Sequence, residues 1–269
     1  MKDQRSRLSA GFCKCSTERK EPSLYSLSMR KSHAVLDLDS RRRKALKIER
    51  LLGLCDRRQP FKLLDIGTGS GAVAQYFATH RNLHCDVTAV DIVDQRVIRD
   101  GFQFLLVENT DLPFSDAFFD VVTSNHVTEH VGSLKEQKNH LREMRRVMTT
   151  NGVGYLTTPN RWMVTEPHYR LPFLSWLPDS LRHVYVRLTK KGENYDCNPL
   201  TLNFLERCMK DAGCHYQNLA EAAIREMLRT EVVHAFKARM LRAIPPSVFP
   251  KLDFLVPTLV YRVLPRKQE

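Results

Sequence analysis

The sequence predicts an α/β fold: a mostly parallel sheet with helices on both faces and a cap inserted after the fifth strand. Three observations predict it. From Phe61 onward, short apolar runs alternate with helical stretches, as strands joined by helical crossovers do. A glycine cluster, Gly67, Gly69 and Gly71, follows the first run and opens a helical segment. Residues 159–199 then break the rhythm with five prolines and both tryptophans of the chain.

Residues 1–32 are polar, basic and aperiodic, and are expected to form a poorly ordered arm before a domain spanning 33–269. A helix is expected over Leu36–Cys55, with Ala45, Ile48, Leu51 and Leu52 on one face and Arg43, Lys47 and Arg50 on the other. Strands are expected at Lys62–Ile66, Asp86–Val90, Phe104–Val107, Asp120–Ser124 and Gly154–Thr158, and helices between them at Ala72–Thr79, Gln95–Asp100 and Leu134–Met148. A structureless loop as long as 159–199 is uncommon in a compact domain. It reads as a substrate cap over the strand ends, partly helical around Leu181–Leu188, or else as a packing insertion. Leu200–Ala212 follows as a helix stopped by Gly213, then a strand at Cys214–Leu219. Leu219–Ile244 reads as a longer amphipathic helix ended by Pro245 and Pro246. Leu259, Tyr261 and Val263 alternate against Val260 and Arg262, which favours a closing strand over Thr258–Leu264 above an interfacial anchor.

The formal charge is +12, and it is unevenly spread. Residues 1–50 carry 14 Lys/Arg against 6 Asp/Glu, 51–218 carry 19 against 19, and 219–269 carry 9 against 5. A neutral middle argues against the basic stripe of a nucleic-acid enzyme. Basic ends fit solvated tails or peripheral contact with an anionic membrane. Seven scattered cysteines, with Cys13 and Cys15 too close for a two-residue redox or zinc spacing, read as reduced thiols. The chain is therefore expected to be cytoplasmic. No apolar run approaches a membrane span, since Phe254–Leu264 is short and holds Pro257 and Arg262.

The most informative stretch is Leu63–Ala78, where a strand enters Asp65-Ile66-Gly67-Thr68-Gly69-Ser70-Gly71 and a helix leaves it. Glycines let backbone turn tightly and approach a ligand. The G-x-G-x-G spacing differs from the dinucleotide fingerprint, whose third glycine comes one residue later. Asp65 precedes the loop directly, where a carboxylate repels a pyrophosphate and suits an ammonium group. That favours S-adenosylmethionine over NAD. Asp91, at the end of the second strand and twenty residues after Gly71, is placed to accept from two ribose hydroxyls. A third element runs from Val107 through Glu108, Asn109, Thr110, Asp111 and Leu112-Pro113-Phe114 to Phe118-Phe119-Asp120-Val121-Val122.

With these three elements in order, the chain resembles class I S-adenosylmethionine-dependent methyltransferases of the type whose third strand leads into D-x-x-x-LPF and FD-x-V. The resemblance is specific over about residues 36–158. It implies a Rossmann-like sheet of seven strands, the last antiparallel, and S-adenosylmethionine as cofactor. It assigns Asp65, Gly67, Gly69 and Gly71 to the first motif and Asp91, with Ile92 beside it, to the ribose. It puts Glu108 in place of the usual aspartate near the adenine amino group, Asn109 at the ring and Asn125 beside the methionine part. The longer Glu108 departs from the pattern. The segment Thr157–Trp162 is similar, more loosely, to methyltransferases of quinone, lipid and saccharide pathways.

After the fourth strand the chain reads Asn125-His126-Val127-Thr128-Glu129-His130. Methyl transfer to a hydroxyl needs a base near neutral pKa. Positions 126, 129 and 130 lie on one face of a helical turn. His126 can face the acceptor as base or orienter, His126, Glu129 and His130 can share a metal, or Glu129 and His130 can hold loops behind the pocket. His126-x-x-Glu129-His130 resembles the E-x-x-E-H segment of ubiquinone-pathway O-methyltransferases, but with histidine replacing the first acid. That weakens a hard-cation site, so no metal is expected. Trp162, His168 and Tyr169 of the cap are candidate contacts for a small-molecule, lipid-linked or saccharide acceptor. The rival readings are an RNA methyltransferase, a cofactor-binding partner protein without catalysis, and an NAD dehydrogenase. An amino-methylating nucleic-acid enzyme usually carries an N/D-P-P-Y type segment where this chain has Ser-Asn-His-Val.

Overall fold

The computed structural model describes residues 37–230 and 256–266, with Arg239 and Pro245. The basic arm of residues 1–32 and, apart from Arg239, residues 231–244 of the helix expected over Leu219–Ile244 lie outside the described residues. The seven strands of the main sheet are β1 (Phe61–Ile66), β2 (Cys85–Asp91), β3 (Gln103–Leu106), β4 (Phe119–Asn125), β5 (Met148–Pro159), β8 (Cys214–Asn218) and β9 (Thr258–Pro265). Across the sheet they run in the order β3, β2, β1, β4, β5, β9, β8. The first five pair in parallel, and β9 runs antiparallel to both of its neighbours. The seven-stranded sheet with an antiparallel closing strand is thus the one expected.

Helices α1 (Leu38–Leu52), α2 (Ala72–Ala78), α3 (Leu134–Arg146), α5 (Leu202–Asp211) and α6 (Ala220–Thr230) pack around it. Successive residues of a strand face opposite sides, and here both sides are covered. Leu63, Val121 and Tyr155 join Ala45, Ile48 and Phe77 in one core cluster, while their neighbours Leu64, Val122 and Leu156 join Leu141, Met144 and Leu205 in the other. That explains why the strands read as unbroken apolar runs. Gly53 in the left-handed conformation ends α1, and a single 3-10 turn, Leu54–Asp56, replaces its expected last residues. Ser133 and Glu136 form a reciprocal capping box that starts α3.

Two expectations are corrected. Gln95–Asp100 is not a helix. Asp94 accepts hydrogen bonds from the Arg96 backbone and guanidinium, at 3.2 and 2.8 Å, which competes with helical pairing. The amides of Val97 and Ile98 instead donate to Ser70 O at 3.0 Å. The fifth strand also starts six residues before Gly154, at Met148, because Met148 already pairs with Phe119 across an irregularity in β4. Polar Thr149, Thr150 and Asn151 hide that start from a hydrophobicity pattern.

Since β1 pairs with both β2 and β4, the strand order reverses there, and in such sheets a ligand crevice opens beyond the C-terminal strand ends. The glycine loop follows β1, and Asn125–His130 follows β4. The insertion holds a hairpin of β6 (Thr165–Glu166) and β7 (Leu171–Pro172), a 3-10 turn at Leu174–Trp176 and helix α4 (Asp179–Leu188). It has its own small core of Tyr169, Leu171, Leu174, Val186, Tyr195 and Cys197. A bridge between Asn160 and Leu200 brings its two ends together.

Gly154 is the tightest joint between the sheet and α3. A Cβ there would meet Met144 Cε at 2.7 Å and Val263 Cβ at 3.1 Å. Gly154→Ala is therefore expected to lower stability by about 1–3 kcal/mol, as overpacking does. Urea unfolding checks this, and an unchanged midpoint would show that Met144 yields freely.

Candidate active site

The glycine loop is fixed first by backbone. Gly67 and Thr68 donate to Val90 O at 2.8 and 3.3 Å, so the loop grips the end of β2. Gly71 has φ +79°, and a Cβ there would lie 2.3 Å from the backbone oxygen of Ile98. No side-chain movement relieves that clash, so this position requires glycine. Gly67 has φ +69°, and its missing Cβ leaves room for Val127, whose Cγ2 would lie 2.4 Å away. The first motif and the segment after β4 are therefore in direct contact.

The two acids predicted on the cofactor side stand at this loop. Asp91 Oδ2 accepts from Gly69 N at 2.9 Å and Oδ1 from Ile92 N at 2.8 Å, so the loop and Ile92 orient its carboxylate. Burial raises its pKa, and these backbone hydrogen bonds act against the rise. Asp65 is buried, and its Oδ1 accepts from Thr123 Oγ1 at 2.7 Å. Burial pushes its pKa up to about 6, against the Thr123 and Thr68 hydrogen bonds and the nearby Arg41 charge. Asp65 Oδ2 and Thr68 Oγ1 have only each other as hydrogen-bond partners, and Ser70 Oγ is buried without one. Orphaned buried polar atoms are rare and call for a partner. A glycine loop with such an atom beside a buried acid fits a polar ligand with donors to give.

Glu108 and Asn109 follow β3 and are exposed. Asn109 Oδ1 accepts from Asp111 N at 2.7 Å, which turns the chain there. Asn125, at the end of β4, accepts from Thr157 Oγ1 at 2.8 Å.

His126 has φ +59°, a left-handed conformation for a residue with a side chain. Such backbone costs of the order of 1–3 kcal/mol and concentrates at functional sites. Its amide donates to Thr157 O at 3.0 Å, and its Nδ1 lies 3.1 Å from Glu129 Oε1. Glu129 has no exposed surface, and its Oε2 accepts from Thr158 Oγ1 at 3.1 Å. Burial acts to raise Glu129, but the hydrogen bond and charge of His126, with His130 nearby, outweigh it and hold it below the usual carboxylate range. An ionised carboxylate only accepts. It therefore takes the Nδ1 proton of His126, and Nε2 is the ring nitrogen left outside this contact.

His130 lies between Glu129 and the insertion. Its Nε2 lies 3.9 Å from Glu129 Oε1, and its Nδ1 lies 3.8 Å from Cys197 Sγ. His168 meets it edge to face, with ring centroids 5.2 Å apart. The structure thus brings His126, Glu129, His130 and His168 into one neighbourhood. Tyr169 is instead part of the insertion core, with its hydroxyl donating to Asn194 O at 2.8 Å. Trp162 is 41% exposed and sits edge-on to Trp176, with Phe173 beside it. Sequence reasoning missed Cys197 and the buried Glu166, since a lone cysteine and a lone acid carry no spacing signal. It also missed His140, whose Nε2 lies 2.9 Å from Ser124 Oγ, and whose pKa burial lowers to about 4.

Comparison with known proteins points to the methyltransferase family. Residues 64–156 match the family model described as a methyltransferase domain. The ubiquinone biosynthesis O-methyltransferase of Rickettsia akari (strain Hartford) is 27% identical over 150 residues, 50% of this chain and 55% of that protein. "Probable tRNA methyltransferase 9B" of Bos taurus is 30% identical over 92 residues, 34% of this chain and 19% of that protein. The chain thus spans about half of one curated relative and about a fifth of the other. A solved chain from the complex between the Haloferax volcanii Trm112 methyltransferase activator and a methyltransferase matches with a TM-score of 0.53 and 16% identity, over 89% of this chain and all of that one. This last likeness supports the fold.

The residues present fit S-adenosylmethionine: a buried carboxylate for its ammonium, an oriented acid for its ribose, and a glycine loop without side chains. Asp65 protonates as pH falls through about 6, and a neutral carboxyl no longer attracts an ammonium. Affinity for S-adenosylhomocysteine, measured calorimetrically, is expected to be about tenfold weaker at about pH 5 than at about pH 7.5. Asp65→Asn is expected to flatten the profile at the weaker level. A flat wild-type profile would remove Asp65 from the ammonium site.

Proposed function

We propose, from a class I S-adenosylmethionine-dependent methyltransferase domain at residues 64–156, that this protein methylates an oxygen of a small-molecule, lipid-linked or saccharide acceptor. The observation that carries the reading is the His126–Glu129 pair, at 3.1 Å, in contact with the glycine loop through Val127. S-adenosylmethionine supplies an activated methyl that leaves by in-line displacement. Asp65 and Asp91 hold the amino-acid and ribose ends. His126 Nε2 accepts the acceptor's hydroxyl proton as the oxygen attacks, and Glu129 stabilises the resulting imidazolium. This division of labour resembles other histidine bases oriented by a buried acid.

The insertion supports the acceptor class. Trp162, Phe173 and Trp176 form an exposed aromatic group, and Leu181, Val184 and Leu188 of α4 are exposed as well. Flat aromatic surface suits a sugar ring or an apolar chain. No helix among the described residues is long and apolar enough to cross a membrane, so contact with a lipid-linked acceptor would be peripheral, aided by the basic ends.

A second reading, methylation of RNA, is favoured by the tRNA-methyltransferase relative and the overall charge of +12. The neutral charge of residues 51–218 stands against it. Steep loss of RNA binding with salt would support it.

The first reading is tested by methyl transfer to a panel of hydroxylated acceptors. His126→Ala is expected to lower turnover at least about a hundredfold while leaving the affinity for S-adenosylhomocysteine within about twofold of wild type. A loss of turnover below about fivefold would end the role of His126 as base.

A further inference from the structure

The insertion and the loop after β4 meet at a cluster that methyl transfer does not use. One ligand atom each from His130, His168 and Cys197 lies within 4.8 Å of the others. Nδ1 of His130 and Nδ1 of His168 are each 3.8 Å from Cys197 Sγ. A tetrahedral ion with zinc-like bond lengths holds its nitrogen and sulfur ligands about 3.3–3.8 Å apart. The spacing of the three atoms is thus close to coordination geometry, and an ion would take the place of Glu166 Oε1, 2.7 Å away, at His168 Nδ1.

The surrounding charge points the same way. Glu129 and Glu166 are both fully buried. Every ion pair described for them is with a histidine: Glu129 with His126 and His130, and Glu166 with His168 at 2.7 Å. Asp196 Oδ1 adds a third carboxylate, 3.8 Å from Cys197 Sγ. Buried carboxylates are costly unless matched by positive charge, and a dication would match two of them. Glu129 also stands where the outer shell of a metal site stands. Glu129 Oε1 faces the Nε2 of His130, the nitrogen left over when Nδ1 binds an ion, as ligating histidines commonly require.

We propose that His130, His168 and Cys197 bind a zinc-class divalent cation. Two imidazoles and a thiolate select such an ion over magnesium, which prefers oxygen ligands. Three protein ligands leave a fourth position, as in metal sites that take water or a substrate oxygen. Binding releases the Cys197 thiol proton to solvent and places each imidazole proton on Nε2. Because His168 and Cys197 come from the insertion and His130 from the loop after β4, the ion ties the insertion to the loop that carries His126. The set differs from the His126, Glu129, His130 grouping suggested by sequence spacing, and it replaces the expectation that no metal is used.

The full chain, stripped of metal with a chelator, is titrated with Co2+ and followed by absorption. The expected result is one tight equivalent per chain with a thiolate-to-cobalt charge-transfer band in the near ultraviolet, displaced by Zn2+. Cys197→Ser is expected to abolish that band, and His168→Gln to weaken Zn2+ binding at least about a hundredfold in chelator competition, with circular dichroism confirming the fold. Absence of the band in the wild-type chain overturns the proposal, even if a variant fails to fold. A band that survives in Cys197→Ser also overturns it, by assigning the cobalt to another cysteine such as the exposed Cys55. No cofactor or acceptor enters the measurement, so its failure leaves the methyl-transfer reading intact.

Discussion

The burial of one carboxylate organises this molecule. Glu129 has no exposed surface, yet it is held in the charged form. A buried charge must be compensated on every side. Its side chain takes His126 on one oxygen and Thr158 on the other, with His130 a little further off. Its backbone oxygen takes the amide of Asn198, at the far end of the insertion, at 2.8 Å. One residue therefore draws together the loop after β4, the end of β5 and the returning chain of the insertion. Its side chain orients the imidazole of His126 while its backbone holds the returning chain of the insertion.

The cofactor side obeys a parallel rule with a different solution. Asp65 is also buried, but its pKa is pushed up to about 6 in spite of hydrogen bonds from Thr123 and Thr68 and the nearby Arg41 charge. Two buried acids at the ends of neighbouring strands thus shift in opposite directions, Glu129 down beside its histidines and Asp65 up through burial.

The fold was largely legible because its signals are local. Leu63–Leu64, Val121–Val122 and Tyr155–Leu156 send neighbouring side chains into opposite cores, which makes a strand read as a solid apolar run. Gly67 and Gly71 announce a loop because steric exclusion at those positions admits nothing larger. Where the signal was not local, the reading failed. Gln95–Asp100 has helical spacing, but Asp94 captures the Arg96 backbone, and the amides of Val97 and Ile98 turn to Ser70. The early start of β5 depends on a cross-strand partner, Phe119, that no pattern within β5 reveals.

The site divides along the same line. His126 and Glu129 are three residues apart, and a turn brings them together, so their spacing carried the information. Cys197 and His168 reach His130 across 67 and 38 positions of sequence, through a hairpin and a helix whose ends are pinned by the Asn160–Leu200 bridge. Chemistry assembled across such a distance depends on the insertion being seated. If His130 is held by Glu129 on one side and by the insertion on the other, the seating of the insertion is felt at Glu129, and through it at the Nδ1 of His126. His168, His130, Glu129 and His126 then form one short chain of side chains from the insertion to the loop after β4.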